Sequence, residues 1–330
     1  MLRSFVVSRR RWPLKAPFRI SRGVKTAADT VMVELRRGEA VGRGESVPYA
    51  RYGESLDGVV AQLETVGTAF EAGESDDALR ALLPPGAAAN ALDCALWDLT
   101  ARETGRSVAE ITGLAVPERL ACAVTVSLDA PEAMAAAARA IADAPVVKVK
   151  LDGEGIERRL TAVGEAAPRS RLIIDPNESW TIGILREVAP LLARMNIALI
   201  EQPLPAGDDA ALEGFDPPAP ICADESVHTT DQLEALRGRY QAINIKLDKT
   251  GGLTEAIALL RRGRELGFTI MTGCMVGSSL GVAPALHIAG ASDFADLDGP
   301  WWLAGDWPCG VRVEGGWMTP PAQGFWGEPG

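Results

Sequence analysis

Eight times between residues 120 and 298 the chain passes from a short apolar run into a stretch of helical composition. The runs are 120–128, 146–151, 171–175, 197–201, 219–224, 242–246, 268–272 and 293–298. Between them lie segments such as PEAMAAAARAIADA and GGLTEAIALLRRGRELG, whose propensity and apolar period suit crossover helices. Strand and helix alternating in this way predict an α/β fold, a modified (β/α)8 TIM-type barrel.

The first 117 residues follow a different pattern. TVMVELRRGEAVGRGESV reads as a β-hairpin, and SLDGVVAQLETVGTAFEAG and NALDCALWDLTARETG read as helices. A chain of 330 residues is longer than one core usually serves. The expected division is an α+β capping domain over 1–117, the barrel over 118–299 and a Trp-, Gly- and Pro-rich tail over 300–330. That tail is expected to pack back on the capping domain.

Five successive barrel strands end in a charge: Lys150, Asp175, Glu201, Asp224 and Lys246. Their separations of 25, 26, 23 and 22 residues are one strand–helix unit each, which brings the side chains to one rim. In barrels of this type the rim at the strands' C-terminal ends carries the active site. Three converging carboxylates repel one another unless a cation lies between them, and oxygen-only ligands favour a hard divalent ion. Asp175, Glu201 and Asp224 are therefore expected to hold one Mg²⁺ per subunit.

The lysines flank this trio on strands two and six, opposite each other in a closed barrel. Lys148 and Lys150 share one face of VVKVKLDG, where alternation sets them apart from the valines. A lysine acts as a base when its pKa is lowered, which the cation of Lys148 and the metal are expected to do. Two such bases facing a metal-held carboxylate can remove an α-proton on one side and return one on the other. This is a 1,1-proton transfer through an ene-diolate, stabilised electrostatically.

The KxK strand, Asp175-Pro176-Asn177, Glu201-Gln202-Pro203, Ala223-Asp224-Glu225-Ser226 and Ile245-Lys246, in this order, resemble the enolase superfamily and its muconate-lactonising subgroup. NALDCALWDLTARETGRSVAEITG is similar to that superfamily's helix leading out of the capping domain, so the resemblance covers essentially the whole chain. Asp296-Leu297-Asp298 looks like the DxD of dipeptide epimerases, which binds the substrate's free amino terminus. The resemblance implies a dipeptide substrate whose C-terminal Cα proton is exchanged between Lys150 and Lys246. It also implies substrate contacts from Lys148, Asp296, Asp298, Thr125 and Arg22, with Asn177 and Glu225 supporting the metal ligands. PFRISRGVKTAADTVMVEL is similar to a mobile lid, and its Arg19, Arg22 and Lys25 suit an acidic side chain, as in Ala-Glu epimerases acting on peptidoglycan fragments. Gly277 departs from relatives that carry an acid after the seventh strand. Cycloisomerases and o-succinylbenzoate synthases share the other motifs and are the alternative reading. A non-catalytic barrel that binds peptide or metal is a more distant one.

The formal charge of -11 argues against nucleic acid or an anionic membrane as partner. The five cysteines are scattered and form no CxxC, which predicts neither a disulfide framework nor a zinc ribbon and points to a reducing cytoplasm. SRRRWPLK lacks the apolar segment of an export signal, and no run approaches the roughly 20 apolar residues of a membrane span. A homo-oligomer is the expected assembly. GSSLG at 277–281 also fits a nucleophile elbow, but the two histidines, His228 and His287, do not follow in the usual order of serine, acid, histidine. A Schiff-base aldolase needs one buried lysine and leaves three carboxylates without a role.

Overall fold

Three antiparallel strands, β1 (Arg3–Ile20), β2 (Gly23–Arg37) and β3 (Ala40–Ser46), begin the chain in a computed structural model that describes residues 2–329. Alternation along β2 turns Val31, Val33 and Leu35 to one buried face. Helices Leu56–Ala72 and Ala87–Thr104 cover that face with Val59, Leu63, Phe70, Ala91, Ala95 and Leu99. The second helix approaches β3 closely because Gly42 and Gly44 have no side chains there. A Cβ on Gly44 would collide with the Ala91 carbonyl and lie 2.8 Å from the Ala95 nitrogen. Gly44→Ala is therefore expected to destabilise the protein by about 1–3 kcal/mol through overpacking, read as a lower midpoint in urea unfolding. An unchanged midpoint would show that helix and strand are not held this tightly.

The run expected over 120–128 is two strands, β4 (Leu120–Ala121) and β5 (Val124–Val126), and only the second belongs to the barrel. The barrel continues with β6 (Val146–Lys150), β7 (Arg171–Asp175), β8 (Ile197–Glu201), β9 (Ile221–Ala223), β10 (Ala242–Lys246), β11 (Thr269–Gly273) and β12 (Phe294–Asp296). These eight strands lie in chain order and each neighbouring pair is parallel. The Ala123 N–H donates to the Ala295 carbonyl at 2.8 Å and ties the last strand to the first. β9 is shorter than expected because Pro217, Pro218 and Pro220 precede it and have no N–H for a ladder.

Helices Pro131–Ala140, Ile156–Ala166, Ile182–Leu192 and Leu253–Glu265 cross over between strands. The connection from β8 to β9 carries only a 3-10 turn, Ala210–Leu212, which modifies the barrel. Val147, Val149, Leu172, Ile174, Ile243 and Ile245 point outward into the core shared with the helices. At the C-terminus β13 (Arg312–Glu314) pairs with β14 (Trp317–Thr319), and β14 pairs with β4. Trp326 Nε1 then donates to the Arg43 carbonyl of β3, so the tail contacts the N-terminal sheet. No helix among the described residues is long and apolar enough to cross a membrane.

Candidate active site

The inward faces of the barrel strands are layered. Ile173, Leu199, Cys222, Ala242 and Met271 form an apolar plug. Above it the same alternation brings Lys150, Asp175, Glu201 and Lys246 to the mouth, joined by Asp224 one residue past β9. Asp296 ends β12 and Asp298 lies in the turn that follows. All of these side chains are buried.

Each acid of the trio is drawn to an ammonium. Lys150 Nζ lies 2.5 Å from Asp175 Oδ2, and Lys246 Nζ lies 2.7 Å from Asp224 Oδ2. Lys148 sits one layer deeper, 2.6 Å from Glu201, 2.6 Å from Asp296 and 3.1 Å from Asp175. Burial works against its charge, but Asp296, Glu201 and Asp175 prevail and hold its pKa well above the usual lysine value. Three carboxylates thus share the charge of Lys148. Lys246 behaves alike: burial lowers its pKa, but Asp224 and Glu201 raise it well above normal, with Lys148 opposing them only in part. The protein groups alone therefore keep this lysine an acid, and a lowered pKa requires the carboxylates to be neutralised by something else.

The acids differ among themselves. Burial raises the pKa of Asp175, but Lys150 and Lys148 outweigh it and hold the carboxyl below its ordinary range. Asp224 is held well below that range by Lys246 and Lys249, again against burial. Glu201 is pushed up to about 8, by burial first and then by Asp175. Its Oε1 accepts from Asn244 Nδ2 at 2.9 Å. Oε2 has no hydrogen-bond donor and is approached only by the Lys148 ammonium, as an ion pair at 2.6 Å. Among the described residues no three acids close on one point as metal ligands would. The donor set still fits a hard divalent cation: three carboxylates on adjacent strands, one oxygen without a donor, and one carboxyl that burial and a like charge keep from ionising freely.

Asp296 Oδ1 is buried without a partner, while Asp298 Oδ2 accepts from the Thr125 N–H at 2.8 Å and from Trp302 Nε1 at 3.2 Å. Burial and the neighbouring Asp296 push Asp298 up to about 6. Asn177, in a left-handed conformation at φ 47°, returns its N–H to Asp175 Oδ1 at 2.9 Å and its side-chain amide to Oδ2 at 3.2 Å. Glu225 has no hydrogen bond to Asp175, Glu201 or Asp224 among the described residues. It accepts from Arg22 at 2.7 Å, and burial and Asp224 push it up to about 7.

A cavity of about 480 Å³ opens above these groups, within the range of small-molecule sites. Its roof is the β1–β2 hairpin tip and the loop bearing Tyr49, Arg51 and Tyr52. The hairpin is docked on the barrel, with the Arg19 N–H on Ser127 Oγ at 2.6 Å and the Leu128 N–H on the Arg19 carbonyl at 3.1 Å. The Arg19 guanidinium turns away to Asp129. Arg22, expected to meet the substrate, is bound instead to the Asn177 carbonyl, Glu178, Glu225 and Tyr49. Glu178 also accepts twice from Arg51, at 2.8 and 2.7 Å, and so clasps both roof segments.

Several of these residues carry no strand-end signal. Lys249 donates to Asp224 Oδ1 at 2.7 Å and to the Asn244 carbonyl at 2.9 Å from the short helix Leu247–Thr250. The Gln202 side-chain carbonyl accepts from the Asp224 N–H at 2.9 Å and fixes where β9 ends. Only Asn244 was within reach of sequence reasoning, since it shares a strand face with Lys246 two residues on. The GSSLG segment has no hydrolase geometry: Ser279 Oγ donates to Asp306, while His287 is bonded to the Leu114 carbonyl at 3.0 Å.

Residues 2–113 match the N-terminal domain of the mandelate racemase/muconate lactonizing enzyme family, and residues 132–324 match the enolase C-terminal domain-like family. The chain is 49% identical to an L-Ala-D/L-Glu epimerase of Escherichia coli K12, covering 92% of this chain and 96% of that one. It is 46% identical to an N-acetyl-D-glutamate racemase of a Pseudoalteromonas species, covering 90% and 95%. An enolase family member from Agrobacterium tumefaciens with homology to dipeptide epimerases, solved with sodium, L-Ala-L-Glu and an ordered loop, superposes with a TM-score of 0.96. It is 47% identical over 98% of this chain and 100% of that one. A dipeptide epimerase of Enterococcus faecalis V583, solved with Mg and L-Leu-L-Tyr, gives a TM-score of 0.89 at 27% identity over 96% of each chain.

Proposed function

The chain belongs to the mandelate racemase/muconate lactonizing enzyme family of the enolase superfamily, and on that premise we propose that it is a Mg²⁺-dependent dipeptide epimerase. The observation that carries this reading is the lining of one cavity by Lys150 and Lys246, four strands apart in an eight-stranded ring. In this assignment one lysine takes the Cα proton of the C-terminal residue and the other, as an ammonium, delivers a proton to the opposite face. Asp175, Glu201 and Asp224 hold the metal, which when bound supplies a positive charge for the substrate carboxylate as negative charge builds there. Lys148 supports that carboxylate, and Asn177 keeps Asp175 oriented. Asp296 and Asp298, beside Thr125, bind the dipeptide's ammonium, for which the partnerless Asp296 Oδ1 is a ready acceptor. L-Ala-L-Glu is the first substrate to try, given the relatives of that activity. The free cysteines agree with a cytoplasmic home, and a homo-oligomer is part of the same reading.

A second reading, racemisation of an N-acylated glutamate, is favoured by the Pseudoalteromonas relative. Such a substrate has no ammonium for the two aspartates. Incubation with Mg²⁺ in D₂O, with L,L-dipeptides in one series and N-acetyl-L-glutamate in another, separates the two by mass gain at Cα. Exchange in L-Ala-L-Glu and little in N-acetyl-L-glutamate is expected. The reverse preference would move the function to the second reading, and no exchange in any substrate would reject both.

A further inference from the structure

Two carboxylates outside the mouth cross between the N-terminal unit and the barrel in opposite directions. Glu45, near the end of β3, reaches the loop after β11, where its Oε1 accepts the Ser278 N–H at 3.0 Å. Asp248, two residues past Lys246 in the helix Leu247–Thr250, reaches back. Its Oδ1 accepts the Val47 N–H at 2.9 Å and Asn90 Nδ2, from the helix Ala87–Thr104, at 2.8 Å. Glu45, Val47, Asn90, Asp248 and Ser278 are all buried. A buried N–H without an acceptor is costly, so each bond fixes the spacing of the two units. The surfaces are also in close contact, since a Cβ on Gly277 would lie 3.0 Å from Val47 Cγ2.

Both ends of this arrangement lead into the cavity. Segment 45–47 runs through Pro48 into the roof residues Tyr49, Arg51 and Tyr52. Glu54 closes that roof loop by accepting the Tyr49 N–H at 2.9 Å and the Ala87 N–H at 2.7 Å. The loop held by Glu45 supplies Cys274, Met275 and Val276 to the cavity wall, and the strand ahead of Asp248 supplies Lys246. Neither acid lines the cavity itself, so each can act on it only through the elements it holds. Burial pushes Asp248 up to about 7 against its bonds to Val47 and Asn90, and raises Glu45 against its bond to Ser278.

We propose that Glu45 and Asp248 are positioning residues that form a reciprocal latch, which sets the roof loop over Lys246 and against the wall after β11. The effect of the latch on turnover rests on the dipeptide-epimerase reading, whereas the latch itself does not.

The test uses Glu45→Ala, Asp248→Ala, the double variant and Asp248→Asn, each confirmed as folded at the assay temperature. Amide hydrogen exchange, read by mass spectrometry without substrate, should quicken about 10-fold at the end of the latch that the substitution does not touch. That end is the peptide around Ser278 in Asp248→Ala and the peptide around Val47 in Glu45→Ala. Loss of one buried hydrogen bond predicts that each alanine variant raises KM for L-Ala-L-Glu about 5- to 10-fold and leaves kcat within about 3-fold. Because both acids hold one segment, the double variant should raise KM by much less than the product of the single effects. Asp248→Asn keeps an accepting oxygen and should stay within about 3-fold of the unaltered protein. Gly277→Ala parts the same surfaces with every hydrogen-bonding group in place; it should raise KM in the same direction and takes the place of an alanine variant that does not fold. Exchange quickened only at the amide that lost its own acceptor, an unchanged KM, multiplicative effects in the double variant, or Asp248→Asn as impaired as Asp248→Ala would each overturn the latch. Quickened exchange at the far ends, with no dipeptide turned over by the unaltered protein, would support the latch and remove the epimerase reading.

Discussion

Lys150→Ala and Lys246→Ala are each expected to lose epimerisation by at least about 10³-fold, at the upper end of what general acid–base catalysis contributes, while remaining folded. Inversion needs a proton removed on one face and another delivered on the opposite face, so either lysine alone is insufficient. Removal without inversion needs only one. Each variant should therefore still exchange the Cα proton of one epimer with D₂O, and the two variants should favour opposite epimers. Following the Cα-H signal of both epimers by NMR reads this directly. Exchange of the same epimer in both variants, or near-normal epimerisation in either, would reject the two-lysine assignment. The fold should survive because each acid keeps a second ammonium. Without Lys150, Asp175 still has Lys148 at 3.1 Å, and without Lys246, Asp224 still has Lys249 at 2.7 Å. Stranding a buried charge entirely would cost roughly 3–5 kcal/mol, which this arrangement avoids.

The strand-end charges were legible because two simple periods coincide: one unit per strand and helix along the chain, and alternation within each strand. Lys148 against Val147 and Val149 shows the second period without any structure. What a strand-by-strand reading cannot supply is which cation meets which anion. Arg22 and Lys25 are equivalent in a sequence, two basic residues in one lid, and only the turn after β7 shows that Arg22 is held by acids. There Asn177 and Glu178 both adopt positive φ, at 47° and 68°, which aims the Glu178 carboxylate at Arg22 and Arg51. Nor does the apolar run 120–128 reveal its division, since Leu120 and Ala121 are taken by a hairpin almost 200 residues further on. Long-range pairing of this kind leaves no local signal.

Withdrawing Mg²⁺ with EDTA is expected to suppress turnover below about 10⁻³ of its normal rate, with recovery when Mg²⁺ is restored in excess. Stability should move with it. Asp175, Glu201 and Asp224 are fully buried at one rim, and Glu201 is raised to about 8 by burial and by Asp175. A divalent ion that binds the folded chain and not the unfolded one stabilises by mass action, about 2.7 kcal/mol when its free concentration is 100 times Kd. The melting temperature should thus rise with Mg²⁺ in a saturable way. Glu201→Gln separates this from general ionic strength, because it removes one ligand charge and keeps the Asn244 contact within reach. The variant should unfold no earlier than the unaltered protein under EDTA, since a penalised carboxylate is gone, yet gain little from Mg²⁺. If Mg²⁺ raised both melting temperatures equally, or sodium at matched ionic strength did the same for both, the ion would not be held by these carboxylates. The lysines would then have to do their chemistry with Asp224 and Glu201 still holding Lys246 as an ammonium, which a base cannot be.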